Sequence, residues 1–183
     1  MGYKTGRDKV ENRLETLSTQ HLRQLKEHLT NIRDRTLVFL GFETAARVRE
    51  MEKFTVAGIH WESGVITKYD VKKKRWIEVG ISPELLKDLR LYIDSFKIRG
   101  ELFIIHWKRY NEILQDACKE IGITQHVSWH LLRRSFCSQA EDHGYTMKEV
   151  MHITGDTERT VAKYYHRVSV ADLGKKASRF YQP

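Results

Sequence analysis

Two tyrosines stand side by side near the end of the chain, in Gly155-Asp156-Thr157-Glu158-Arg159-Thr160-Val161-Ala162-Lys163-Tyr164-Tyr165-His166-Arg167-Val168. A phenol is a weak nucleophile at neutral pH, because its ordinary pKa is about 10. It becomes useful where cationic groups surround the centre it attacks and take up the developing charge. Such groups precede it in the chain. Arg47 lies in Thr44-Ala45-Ala46-Arg47-Val48-Arg49-Glu50-Met51, and Lys72, Lys73 and Lys74 are consecutive. His130 stands three residues before Arg133 in His130-Leu131-Leu132-Arg133-Arg134-Ser135-Phe136. An arginine's planar fork grips two phosphate oxygens and does not deprotonate. Residues three apart on a helix share a face, so His130 and Arg133 can meet one phosphate from one rigid element. Each group also has a plainer explanation. Arg47 can pair with Glu43 or Glu50, the lysines can form a charged turn, and His130 can cap or pack near a helix start.

Composition narrows the setting. The chain has 183 residues, 40% of them hydrophobic and 31% charged, which suits one globular domain. Lysine plus arginine outnumber aspartate plus glutamate by 32 to 24, a formal charge of +8 that favours a polyanionic partner. No apolar run approaches the roughly 18 residues of a membrane span, no signal peptide opens the chain, and no membrane partner is expected. Cys118 and Cys137 form neither a zinc spacing nor a disulfide framework, so the expected location is cytoplasmic.

The elements that must position these groups are mostly helices. Ser18 caps a helix carrying Leu22, Leu25 and Leu29. Asp34 is expected to open a second, running through Leu37, Val38, Leu40, Ala45, Val48 and Met51, with Gly41 at a close-packing point. Between Phe54 and Ile81 the texture turns to β. The runs Val65–Tyr69 and Trp76–Val79 read as a hairpin with the three lysines at its tip, and Phe54–Ile59 as a shorter third strand. Ser82-Pro83 opens a helix with Leu85, Leu86, Leu89, Tyr92, Ile93 and Phe96. Further helices are expected over Trp107–Ile121, from Ser128 or Trp129 to near Gly144, over Met147–His152, and from Thr157 or Thr160 through the tyrosines. The fold class is therefore mainly α with a small antiparallel β-sheet.

The order arginine, lysine, His-x-x-Arg, tyrosine resembles the catalytic domain of the tyrosine recombinases, which include integrases and Xer-type recombinases. Thr44, Arg47, Glu50 and Met51 match a Thr-Gly-x-Arg-x-x-Glu-Leu-like string, with Ala45 in place of the glycine. The family's lysine stands eight residues before the proline of a Val-Pro-Leu-like string. Here that string is Val79-Gly80-Ile81, which selects Lys72, with Lys73 or Lys74 serving if the loop differs in length. His130 to Phe136 is similar to His-x-Leu-Arg-His-Thr-Phe, with Arg134 for the second histidine and Ser135 for the threonine. Downstream, Gly144, Val150 and Gly155 keep the family's spacing, but Asp156 stands where a histidine or tryptophan is usual. An acid there is expected to turn away or bind a neighbouring arginine. Nine residues beyond it comes Tyr165; anchoring on His166 instead selects Tyr164.

The resemblance covers about residues 18–168 and implies the tyrosine recombinase catalytic-domain fold. It implies site-specific cleavage and rejoining of DNA through a 3′-phosphotyrosine intermediate, with no metal and no cofactor. Tyr165 would attack, Arg47, Arg133 and His130 would hold the phosphate, and Lys72 would protonate the leaving 5′-oxygen. Asp156, Lys73 and Tyr164 are the secondary site candidates. Arg47, Lys72, Lys73, Lys74, Arg133 and Arg134 are the expected DNA contacts. The implied partners are double-stranded DNA and further copies of the chain, as a tetramer on DNA, nucleoid-associated if prokaryotic or viral. Residues 1–17 would be an extension or truncated linker, 18–168 the catalytic domain, and 169–183 a tail exchanged between protomers. Two rivals are a type IB topoisomerase, with the same chemistry, and a DNA-binding regulator that keeps the fold without catalysis.

Overall fold

Ser18 opens the first helix with a reciprocal cap: its hydroxyl accepts the His21 N–H, and the His21 imidazole accepts the Ser18 N–H. The computed structural model describes residues 16–163, beginning just before this cap. Helix α1 (Thr19–His28) buries Leu22 and Leu25. Helix α2 (Ile32–Glu43) is capped by Asn31, whose side chain accepts the Arg33 and Asp34 N–H groups, so it starts before the expected Asp34. Every residue from Thr36 to Gly41 is buried, which makes α2 the axis of the molecule. Gly41 is required by packing: the Trp129 ring lies where any Cβ would go. That indole also donates its Nε1–H to the Ala46 carbonyl (3.0 Å).

The expected continuation of α2 through Val48 and Met51 is not observed. The Ala46 N–H reaches back to the Gly41 carbonyl (3.1 Å) and the Ala45 N–H to Phe42 (3.0 Å), a Schellman ending with Ala45 in the left-handed region at φ 46°. The chain turns there, and Arg47 caps a separate short helix, α3 (Val48–Met51).

The sheet has three antiparallel strands, β1 (Ile59–His60), β2 (Val65–Asp70) and β3 (Arg75–Gly80), in that order. The expected third strand is present but shorter and shifted, with only Ile59 of Phe54–Ile59 in it. Thr55 makes a single bridge to Glu101, and a 3-10 turn (Val56–Gly58) leads into β1. Pairing of Ile66 with Val79 and Lys68 with Ile77 fixes the register, and Ile66, Lys68 and Asp70 all face inward. The hairpin tip is Val71 to Lys74, as expected.

Ser82 caps α4 (Pro83–Phe96), which joins α2 through a two-pronged Arg35–Asp88 pair at 3.0 and 2.9 Å. Of its expected apolar face, Phe96 is largely exposed. Then come α5 (Trp107–Glu120), α6 (His130–Gln139), α7 (Met147–Thr154) and α8 (Glu158–Val161). The main core joins α1, α2, α4, α5 and the start of α6. A second cluster gathers Ala45, Ile77, Val79, Phe136, Ala140, Val150, Ile153 and Val161 under the segments that follow α2 and α7. Cys118 and Cys137 are buried free thiols, and no described helix is long and apolar enough to cross a membrane.

Ala45 holds a backbone conformation that glycine adopts without steric cost. Ala45→Gly should therefore raise stability by up to about 1 kcal/mol in urea denaturation. A loss instead would mean that the buried methyl outweighs the backbone strain.

Candidate functional site

Arg47 leaves the left-handed turn with its guanidinium already committed. Nη1 donates to Glu50 Oε1 (2.7 Å), Nη2 to Asp156 Oδ1 (2.7 Å), and the Arg47 N–H to Glu50 Oε2 (2.9 Å). Glu50 is wholly buried, so its carboxylate fixes both the backbone and the side chain of Arg47. Arg133 approaches from α6 and is itself buried. Its Nη1 donates to the Ala45 carbonyl (2.7 Å), and its Nη2 to the Thr154 carbonyl and Asp156 Oδ2. The two arginines thus converge on one carboxylate, one on each oxygen. Two guanidiniums arranged in this way are able to grip any anion that presents two oxygens, a carboxylate or a phosphodiester alike. Asp156 does bind a neighbouring arginine, and in fact binds both.

His130 is the first residue of α6, on the face of Arg133. It is exposed at one edge, yet lost solvation and then the charges of Arg133, Arg134 and Arg47 push its imidazole below the usual histidine range. Both influences favour the neutral imidazole, which can donate one hydrogen bond. Burial alone would raise the Asp156 carboxyl. The Arg133 hydrogen bond and the charges of Arg133, Arg47 and Lys72 outweigh that and hold it below the usual carboxylate range.

Lys72, Lys73 and Lys74 are all exposed at the hairpin tip, and the charge of Lys72 is felt at Asp156. Asp70 holds the tip by accepting the Lys72 and Lys73 N–H groups (3.0 and 3.1 Å). Arg134 is half-buried and its charge reaches His130. Tyr164, Tyr165 and the tail 169–183 lie outside the described residues, as does most of the expected extension 1–17. Helix α8 follows Thr157, one of the two expected starts, which stands at its N-cap position without a side-chain capping bond. Among the described residues no group of three or more His, Cys, Asp or Glu side chains could hold a metal ion.

Sequence reasoning missed Lys68. Its ammonium is buried, donating to the Thr44 carbonyl (3.0 Å) and the Ile153 carbonyl, with Glu50 Oε2 3.7 Å away. Burial lowers its pKa to about 8, against the raising influence of Glu50. The available signal was its inward register between Ile66 and Asp70, where a lysine must find partners.

Residues 15–171 match the Phage integrase family. The chain is 23% identical over 176 residues to the tyrosine recombinase XerA of Pyrococcus furiosus, covering 90% of this chain and 61% of that protein. A XerD of Listeria innocua is 25% identical over 167 residues, covering 82% and 55%. The chain thus spans little more than half the length of these relatives. Among solved structures, that of XerA recombinase superposes with a TM-score of 0.77 at 20% identity, covering 93% of this chain and 66% of the other.

Lys68→Met should lower stability by about 3 kcal/mol, because Glu50 and two carbonyls lose a buried cation. The pH dependence has a definite sign. A folded pKa of about 8 against an ordinary 10.5 means that the unfolded chain binds more protons between those values. Between pH 8 and 10.5 the folded chain has already released a proton that the unfolded chain still holds, so deprotonation relieves the desolvation of the buried ammonium and folding gains as pH rises. Urea titrations at pH 7 to 10.5 should show the wild type gaining on the variant as pH rises.

Proposed function

The chain belongs to the phage integrase family, and from that premise we propose that it is the catalytic portion of a tyrosine-type site-specific recombinase acting on double-stranded DNA. The observation that carries this reading is the convergence of Arg47 and Arg133 on the two oxygens of one anion, beside His130 and a lysine-tipped hairpin. Tyr165 attacks the scissile phosphorus, its phenolic proton passing to solvent, and the bond to the 5′-oxygen breaks. The products are a 3′-phosphotyrosine link and a 5′-hydroxyl. Arg47, Arg133 and neutral His130 hold the non-bridging oxygens, whose charge grows in the transition state. Lys72 gives its proton to the leaving oxygen, and attack by a 5′-hydroxyl reverses the step to rejoin strands. Lys73, Lys74 and Arg134 add phosphate contacts. No metal or other cofactor enters this scheme. Support for a DNA partner comes from a neighbour of the same fold, XerH bound to a difH substrate in a post-cleavage complex, with TM-score 0.74 at 16% identity. Such an enzyme works in the cytoplasm, on the nucleoid in a prokaryotic or viral setting.

Self-association as a tetramer on DNA belongs to the same reading. A cavity of about 790 Å³, lined by Leu22, Phe42, Val79, Ile81, Phe136 and Ile153, has the apolar character to receive the Leu173, Phe180 and Tyr181 side chains of a neighbouring protomer's tail. Glu43, Glu78 and Glu149 at its walls suit that tail's basic residues. A second reading, a DNA-binding regulator without catalysis, draws on Asp156, which fills the anion seat from within.

Incubation with a nicked suicide duplex in EDTA should give a protein–DNA adduct that survives denaturing electrophoresis. Tyr165→Phe should abolish it while sparing binding, and Tyr164→Phe should still form it. Failure of both the wild type and Tyr164→Phe to form any adduct would favour the regulator. A magnesium requirement, or a link to the 5′ end, would overturn the mechanism.

Asp156→Asn removes the internal competitor for the seat. It should bind inorganic phosphate about tenfold more tightly than the wild type, read as a larger phosphate-dependent rise in Tm. An equal response in the two proteins would mean that the seat between the arginines is not where phosphate binds.

A further inference from the structure

Asp70 is the last residue of β2 and only 1% exposed. Its Oδ1 accepts the N–H groups of Lys72 and Lys73 and lies 4.0 Å from Arg47 Nη1. Its Oδ2 is buried without a hydrogen-bond partner among the described residues. That oxygen lies where a Cβ on Gly155 would go, and Gly155 sits at φ 68° immediately before Asp156. One carboxylate therefore touches three things: the lysine-bearing turn, the first arginine, and the turn carrying the occupant of the anion seat.

Chain reversal alone does not call for this arrangement. A turn capped by a side-chain oxygen is met equally well by an exposed aspartate, asparagine or serine. Burying a carboxylate with one oxygen unpaired costs free energy that such a cap avoids. The feature that burial adds is rigid registration of the hairpin tip against Arg47 and the Gly155 turn. A proton donor must sit at a fixed distance from the leaving oxygen, and a displacement of about 1 Å can cost a hundredfold in rate.

We propose that Asp70 is a positioning residue for the leaving-group proton, holding the Lys72 turn in register with the seat between Arg47 and Arg133. This rests on the reading of Lys72 as the general acid, and the test keeps the two apart. A duplex whose scissile 5′-oxygen is replaced by sulfur expels a thiolate, which leaves without protonation. Loss of proton donation is therefore relieved on this substrate, and loss of phosphate binding or of the fold is not.

Single-turnover cleavage is measured on the oxygen and sulfur suicide duplexes for the wild type, Lys72→Ala, Asp70→Ala and Asp70→Asn. Lys72→Ala should lose about 100-fold on oxygen and recover on sulfur. Asp70→Ala should lose about tenfold or more on oxygen and return to within about threefold of wild type on sulfur. Asp70→Asn keeps an oxygen for the two N–H groups and should restore most of what alanine loses on oxygen. If Asp70→Ala does not fold, Asp70→Ser, with a shorter acceptor, takes its place. Equal losses on both substrates at position 70, with Lys72→Ala rescued, would overturn the positioning role. Absence of sulfur rescue in Lys72→Ala would overturn the choice of acid, and the proposal with it.

Discussion

Two buried cations hold this molecule's working end together. Lys68 donates to the carbonyls of Thr44 and Ile153, and Arg133 to those of Ala45 and Thr154. Each cation spans the same two backbone segments, the turn after α2 and the end of α7, one residue apart on each. Those segments carry Arg47 and Asp156. Backbone carbonyls at helix ends lack intrahelical donors and must be satisfied when buried. Here the satisfying groups come from a strand and from a third helix, so the ends of α2 and α7, the sheet and α6 are bound into one unit. The apolar cluster beneath them, with Ala45, Val79, Phe136, Val150 and Ile153, supplies the low-dielectric floor that makes the cationic bonds strong.

Such a concentration of like charge needs compensation. Arg47, Lys68 and Arg133 face Glu50, Asp70 and Asp156, and the carboxylates are divided among roles. Glu50 lies between Arg47 and Lys68, Asp70 beneath the hairpin tip, and Asp156 across both arginines. Buried ion pairs give little net stability, since desolvation consumes most of the Coulombic gain. Their value here is geometric. Each charged group has its position fixed by partners that come from different elements.

Much of this was legible in the chain. Apolar spacing and capping residues placed the helices from Ser18 and Ser82, and β-branched alternation placed the hairpin with its lysines at the tip. Arg47, His130 and Arg133 were identified by type and order, and the structure does bring Arg47 and Arg133 together, with His130 one turn away. The turn after α2 was not legible, because its left-handed residue is alanine and no glycine announced a helix end. Lys68 and Asp70 were passed over because charged residues on a strand ordinarily read as its solvent face, although both fall on the period-two face of Ile66. Glu43, weighed as a partner for Arg47, instead holds the Ser82 N–H and hydroxyl at 2.7 and 2.8 Å.

The seat between the arginines is already filled, which changes the energetics of the proposed reaction. Asp156 and a phosphodiester each carry one negative charge, so exchanging one for the other leaves the net charge at the two guanidiniums unchanged. The exchange therefore gains little from the arginines themselves. Its drive must come from contacts that the carboxylate cannot make. The exposed Lys73 and Lys74 at the hairpin tip are suited to this, because each phosphate they neutralise elsewhere on the duplex releases counterions. A free phosphate lacks those contacts, whereas a duplex laid along the hairpin has them. Binding energy from the length of the DNA would then be spent in displacing Asp156, and the arginines would become available only when a strand is in place for attack. By this argument an aspartate where a histidine is usual is compatible with catalysis, provided the duplex, and not the isolated phosphate, is what opens the seat.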